Sequence, residues 1–399
     1  MNILCITRFF KGGEFMRSGA RLGANMYLIT SLKHKDEDWP YDILTDKYYM
    51  EEDADGNWDK EVLVKGLAAT IRHTRFDILV ALDDFDVEMG AFLRETFRIP
   101  GMGETTARYF RDKLAMRMKA LEHQLPNPDF APIFHDHDVN AFFERTPGPY
   151  MIKPRSQASA TGIKKVHTAH DAWEQIHLLG DQRHEYLIEA FRPGQVYHVD
   201  ALIWNGEVIF SKSSKYLDTP FEVAHGGGIF RSVTIHDSDE DAIVLAKQNA
   251  DILKAFGIVF GASHSEYIKT TDGSFVFLET SSRVGGANLA EMVEAASGIN
   301  LWAEWAAIEI ASKTRSSYQL PKPRHDMAGI VISLSRYEWP DISSFHGEEI
   351  YWKMIKKHHI GFIVRHADGV VVKQLLDTFT DRIKTEFHAS LPAPDRPTN

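Results

Sequence analysis

The sequence predicts a multidomain protein of mixed α/β and α+β class, and three observations carry that prediction. The first hundred residues alternate short apolar runs with helical patterns. A break at Ile99-Pro100-Gly101 separates them from a second α/β stretch, which runs to about Phe191. A strand-rich stretch follows to about Thr280, with two β-patterned runs flanking Asp272-Gly273. Strands alternating with helices argue for a parallel sheet.

The elements follow in order. Asn2–Thr7 reads as a first strand, not a signal peptide, because Arg8 and Lys11 stand where a small-residue cleavage site would be. Met26–Thr30 and Phe76–Leu82 are further strands, and Lys60–His73 is a helix. Gly12-Gly13 reads as an ordinary loop, with a phosphate turn as the weaker alternative. Thr105–Leu121 is a basic helical stretch that Pro126 and Pro128 end. Met151–Pro154, Lys164–His167 and Glu185–Phe191 read as strands. Tyr197–Ile203 and Glu207–Lys212 form a strand pair joined around Asn205-Gly206. Gly286–Ser312 is apolar, Ala-rich and helical. Beyond the linker Ser316–Arg324, Gly329–Ser335, Phe362–Arg365 and Gly369–Lys373 read as strands and Leu375–His388 as a helix. The tail from Pro392 is proline-rich and expected to be flexible.

Charge narrows the function. The 399 residues carry 45 Lys and Arg against 56 Asp and Glu, a formal charge of −11. That balance argues against a general binder of nucleic acid or anionic membrane, because phosphate repulsion would go uncompensated. A local basic pocket for a small phosphorylated ligand stays allowed. Cys5 is the only cysteine, which excludes an intrachain disulfide and suits a reducing cytoplasm. No run approaches the length of a transmembrane helix.

The segment Ser263–Ser282 is the most informative. With Asp272-Gly273 as a two-residue turn, Thr271 faces Ser274, and counting outward puts Glu266 opposite Glu279. Facing carboxylates lie roughly 5 Å apart and destabilise a sheet unless compensated. A divalent cation is the natural compensator, and the apolar Ile268 and Phe277 suggest that this face looks inward. An exposed pair on a solvated face is the competing reading. Arg283 follows, then Gly285-Gly286. A cation there could clamp a phosphate or carboxylate that the metal also touches. Upstream, Lys153 ends a strand and leads into Arg155–Gly162, a loop of small and hydroxyl residues that lets backbone N–H groups approach phosphate. The loop lacks the GxxxxGK[ST] pattern. Lys113 lies upstream. His225-Gly226-Gly227-Gly228 is read either as a lining of an acceptor pocket or as a mobile turn. The paired histidines, His135/His137 and His358/His359, are read as solvated.

In this order the motifs resemble the ATP-grasp superfamily, in its carboxylate–amine ligase branch of amino-acid ligases and biotin-carboxylase-like enzymes. The likeness covers about Ile99–Ala311. It is carried by IPG, FRDK, MIKP with the loop ending SATGI, LIEAF-RPG, and SE…LETSSRVGG. The resemblance implies a Rossmann-like pre-ATP-grasp domain (1–105), lobe A with its linker helix (106–190) and lobe B with the metal site (191–313). A small C-terminal α+β part (314–391) and a tail (392–399) complete the expected division. It further implies ATP as ligand, with Lys113 and Lys153 on its phosphates and Ser159, Thr161 and Gly162 in the lid. Glu189, Ala190 and Phe191 become the adenine hinge. Glu266 and Glu279 hold Mg²⁺, with Mn²⁺ as an alternative, and Arg283 stabilises an acyl phosphate. Lys215, or else Lys212, reaches the γ-phosphate or substrate. Two departures stand out. Val196 occupies the acidic ribose position, with His198 as the expected substitute, and Ser281 replaces the Asn that usually ends the metal motif.

The expected activity is ADP-forming amide synthesis from a small carboxylate and an amine, with His225, Gly226, Gly227, Gly285 and Gly286 near the substrates. The rivals are carboxylation through carboxyphosphate, in the biotin-carboxylase manner, and a catalytically impaired nucleotide-binding protein. The C-terminal part is expected to cap the cleft or to mediate a homodimer.

Overall fold

In the computed structural model the described residues are 1–158, 161–219, 223 and 227–390. Three sheets organise them. The first is parallel, ordered β3-β2-β1-β4, from β1 (Asn2–Thr7), β2 (Asn25–Ser31), β3 (Leu44–Met50) and β4 (Ile78–Ala81). β1, β2 and β4 are almost wholly buried and read as continuous apolar runs, as strands covered on both faces must. β3 (LTDKYYM) was not anticipated, because it is a polar edge strand without alternation.

The second sheet, ordered β5-β8-β6-β7, holds β5 (Phe130–Pro132), β6 (Tyr150–Pro154), β7 (Lys164–Val166) and β8 (Tyr186–Ala190). The helices Asp136–Arg145 and Ala169–Leu179 bury Val139, Phe142, Ala172 and Ile176 against it. Immediately after β8 the chain enters the third and largest sheet. Its members are β9 (Gly194–Trp204), β10 (Glu207–Tyr216), β11 (Phe230–Thr234), β12 (Gly261–Thr270), β13 (Phe275–Ser281), β14 (Met327–Leu334), β15 (Ile350–Lys353) and β16 (His359–His366). They run in the order β13-β12-β9-β10-β11-β14-β16-β15.

β14 pairs with β11, so the strands beyond residue 314 continue the sheet that carries the facing carboxylates. Three expectations change. Gly369–Lys373 is the first turn of the helix Gly369–Arg382, not a strand. Asp368 caps it by accepting from Val370 N at 2.8 Å, and Val372, Leu376 and Phe379 bury one stripe of it. The stretch 105–121 forms two helices, Glu104–Arg108 and Lys113–Glu122, with Asp112 capping the second through Leu114 N and Ala115 N. The stretch 286–312 splits into Leu289–Ser297 and Leu301–Thr314, because Gly298 at φ 74° ends the first helix.

Candidate active site between the sheets

Glu266 on β12 pairs directly with Glu279 on β13. The pairing arises differently from the count above. Thr270 N donates to Ser274 O, so the loop holds three residues, Thr271, Asp272 and Gly273, the last at φ 87°. Tyr267 then faces Phe277, and a bulge at Leu278 restores the register at Glu266. The extra loop residue on one strand is offset by the extra bulge residue on the other. The same shift corrects the position of Phe277. It points to the opposite face, where it packs on Tyr267 and Phe256.

The Glu266 face is polar across several strands. Tyr216 O–H donates to Glu266 at 2.8 Å. His198 faces Glu266 across the β9–β12 pair, and Asp200 faces His264. Asp200 takes the Nδ1 atoms of both imidazoles, at 3.0 Å for His198 and 2.9 Å for His264. His264 Nε2 lies 3.8 Å from Glu266. Burial alone would lower His264, but Asp200 and Glu266 raise it to about 9, so it is an imidazolium at neutral pH. Burial would likewise raise Glu266. Its neighbours His264 and Tyr216 instead hold it below the usual carboxylate range. Asp200, His264 and Tyr216 are partners that the sequence analysis missed. Alternation signals His264, two residues before Glu266, as a neighbour on the same face.

Lys113 stands at the start of its helix with Nζ 2.7 Å from Glu279 and 2.7 Å from the carbonyl of Gln157. It thus spans the loop after β6 and the carboxylate hairpin. Four residues on, Arg117 is fully buried and donates Nε to Glu189 at 2.8 Å. Lys153 reaches the other oxygen of Glu189 at 2.7 Å. Burial would raise Glu189, but Arg117 and Lys153 hold it at about 2. Arg117 was also missed, although its spacing from Lys113 puts both on one helix face. Its Nη1 and Nη2 atoms are buried without a hydrogen-bond partner.

The third component comes from the first sheet. Beyond β4, Asp84 receives Nε of Arg283 at 2.9 Å and Nη2 on its other oxygen, with the Ser281 hydroxyl on the first. Burial would raise Asp84, yet Arg283, Arg111 and Lys11 hold it low. Asp83 and Asp86 pair with Lys11 and Arg8. The acidic run therefore joins the first sheet to β13.

No family model matches the chain. An L-arginine-specific L-amino acid ligase of Bacillus subtilis is 28% identical over 234 residues, covering 57% of this chain and 56% of that protein. A D-alanine–D-alanine ligase of Neisseria gonorrhoeae is 25% identical over 210 residues, covering 50% of this chain and 66% of that protein. The matched region thus spans between half and two thirds of these relatives. The crystal structure of L-amino acid ligase from Bacillus licheniformis superposes with a TM-score of 0.73 at 17% identity, over 98% of each chain. That of N5-carboxyaminoimidazole synthetase from Staphylococcus aureus does so at 0.70 and 13%, over 95% of this chain and 97% of that one. The chain has the ATP-grasp ligase fold.

Within this ATP-grasp fold some expected site residues converge and others do not. Glu266, Glu279, Ser281, Lys113 and Arg283 gather around β12 and β13, bridged by Asp84. His198 does not suit a ribose contact. It is fully buried, with both ring nitrogens committed to Asp200 and Ser232. Val196 at the usual ribose position faces Ile268 and joins a core cluster. Lys215 immediately precedes Tyr216 and pairs with Val233, so alternation sends it from the opposite face of β10. Lys212 shares the Asp200 face, but it is buried and tied to Asp237 at 2.8 Å.

The hinge differs too. The N–H groups of Ala190 and Phe191 donate to the carbonyls of Asp129 and Pro149 at 2.8 and 2.9 Å, so these donors are spent within the protein. The Phe191 ring carries Lys165 Nζ at 3.6 Å. Thr161 N donates to Ala158 O, and a Cβ at Gly162 would stand 2.9 Å from Pro154. This part of the loop therefore folds back on the end of β6. Gly285 packs so closely that a Cβ would lie 2.7 Å from Asp200 and 2.9 Å from His264, whereas Gly286 borders open space. Gly227 lines a groove with Arg231, Lys384 and His388. Ser159, His225, Gly226 and the tail 392–399 lie outside the described residues. Among the described residues, no helix is long and apolar enough to cross a membrane.

Proposed function

We propose that this chain is an ADP-forming carboxylate–amine ligase, which activates a small carboxylic acid with Mg·ATP and joins it to an amine. The observation that carries this reading is the facing pair Glu266–Glu279, with Lys113 on one side and Arg283 on the other. The amino-acid ligases among its relatives support the same class.

The donor set fits a hard divalent cation. Two carboxylates face each other on adjacent strands, and Lys113 sits on Glu279 where a counter-charge is needed. Mg²⁺ held by Glu266 and Glu279, when bound, would neutralise charge on the nucleotide's terminal phosphates. The remaining work falls to this chain's own groups. With Glu279 engaged by a cation, Lys113 would be available to phosphate oxygens, and Lys153 would approach them from the end of β6. Arg283 neutralises the oxyanions of the transferring phosphoryl group and of the resulting acyl phosphate. Imidazolium His264 supports Glu266 from behind. Positioning and charge neutralisation suffice for this chemistry, so no covalent nucleophile is required. Cys5, buried in β1 with its thiol pushed far up by burial, is core packing.

ADP release assayed with a panel of amino acids tests the reading. Release that depends on an amino acid and disappears in Glu279→Ala is expected. Nucleotide binding without turnover for any acceptor refutes it. Release that depends on bicarbonate would favour carboxylation, the weaker reading given the named activities of the sequence relatives.

A further inference from the structure

Arg283 has five N–H donors in a rigid fork. Three of its nitrogens are engaged within the protein. Nε and Nη2 grip the two oxygens of Asp84, and Nη1 donates to the carbonyl of Val284 at 2.9 Å. The Nε–Nη2 edge of the fork is therefore closed by Asp84. Among the described residues Arg283 makes no further hydrogen bond, which leaves one N–H on each Nη to donate to an oxyanion. Asp84 is itself held from the other side. The Ser281 hydroxyl donates to it, and Lys11 and Arg111 add positive charge that keeps it ionised. Asp84 and Arg283 come from different sheets, 199 residues apart, and both are largely buried.

We infer that Asp84 is a positioning residue for the phosphoryl-transfer centre. Supplied by the N-terminal sheet, it clamps one edge of the Arg283 guanidinium and so aims the remaining two donors at the oxyanion. The same carboxylate accepts the Ser281 hydroxyl, so the serine that stands where the ATP-grasp pattern carries an asparagine is bonded to Asp84. The N-terminal sheet thus contributes directly to the chemistry on lobe B. The inference rests on the ligase reading for its catalytic consequence, but its structural content is oxyanion binding by an oriented arginine.

The full chain is compared with Asp84→Asn, Arg283→Lys and the double variant. Removal of such a supporting carboxylate is expected to cost about 10- to 100-fold in kcat. KM for ATP should stay within about twofold, because Lys113 and Lys153 are untouched. In the Arg283→Lys background, Asp84→Asn should add little, since the fork it orients is gone. A merely structural role would instead give equal losses in both backgrounds, and that outcome overturns the inference. A second arm is independent of turnover. Calorimetric titration of inorganic phosphate in the presence of Mg·ADP should show weaker binding in Asp84→Asn than in the unaltered chain. Equal binding, or none by the unaltered chain, also overturns it. If the unaltered chain releases no ADP with any acceptor, the ligase reading fails while the phosphate titration still decides the role of Asp84.

Discussion

Glu189→Gln probes a deeply buried charge network. The Glu189 carboxylate is 1% exposed, Arg117 is fully buried, and Lys153 is 12% exposed at the side chain. The substitution leaves Arg117 with no anionic partner, and two of its nitrogens already lack a hydrogen bond. Breaking a buried pair in this way costs about 3–5 kcal/mol. A second route gives a similar figure. Holding the acid at about 2 instead of 4.5 is worth about 3 kcal/mol of folding free energy at neutral pH. The sign follows from the lowered acid. Its stabilisation is complete above pH 4.5 and is lost as pH falls toward 2. Denaturant midpoints of the first unfolding transition, read at pH 7 and pH 3.5, measure it. The variant should lie about 3 kcal/mol or more below the unaltered chain at pH 7, and the gap should narrow by about 1 kcal/mol at pH 3.5. Replacing Arg117 and Glu189 together by methionine should recover much of the loss, leaving Lys153 to reach solvent. A Glu189→Gln chain within about 1 kcal/mol of the unaltered one, with the same pH response, would refute the reasoning.

Further outcomes are expected. Mg²⁺ at about a hundred times its Kd should raise stability by about 2.7 kcal/mol, and Glu279→Ala should abolish this in a thermal melt. Gly285→Ala drives a Cβ against Asp200 and His264, so a loss of about 1–3 kcal/mol should accompany a fall in kcat. A Gly285→Ala chain with unchanged melting and rate would contradict that packing. Asp368→Ala removes the cap on Gly369–Arg382 and should cost about 1 kcal/mol by chemical denaturation, with activity retained.

The legible and illegible parts of the site divide by sequence distance. Glu266 and Glu279 could be matched because a turn of known chemistry lies between them, and period-two alternation carries the register outward. Even so, the match survived only because the three-residue loop and the Leu278 bulge compensate each other. Lys153 was legible as a lysine at a strand end, whereas Lys113 was placed by the motif order, inside a stretch read as one helix. Lys215 and His198 were placed by motif spacing alone. Spacing does not show which face of a strand a residue leaves from, or whether its nitrogens are already spent. The Val-rich start of the last helix read as a strand because β-branched residues favour extended backbone locally. Burial of Val372, Leu376 and Phe379 on one stripe overrode that preference.

What the sequence by itself determined is local: the α/β opening, the hairpin with its facing carboxylates, the lysine-bearing strand and the order of motifs. Short-range hydrogen bonding and side-chain periodicity set these, and both act within a few residues. Only the tertiary structure decided that Asp84 meets Arg283 and that β14 extends the carboxylate-bearing sheet. It likewise set Asp200 between two imidazoles. Those contacts form because buried charges and strand edges must find partners once water is excluded, and the partner is chosen by the packed fold, not by the neighbouring sequence.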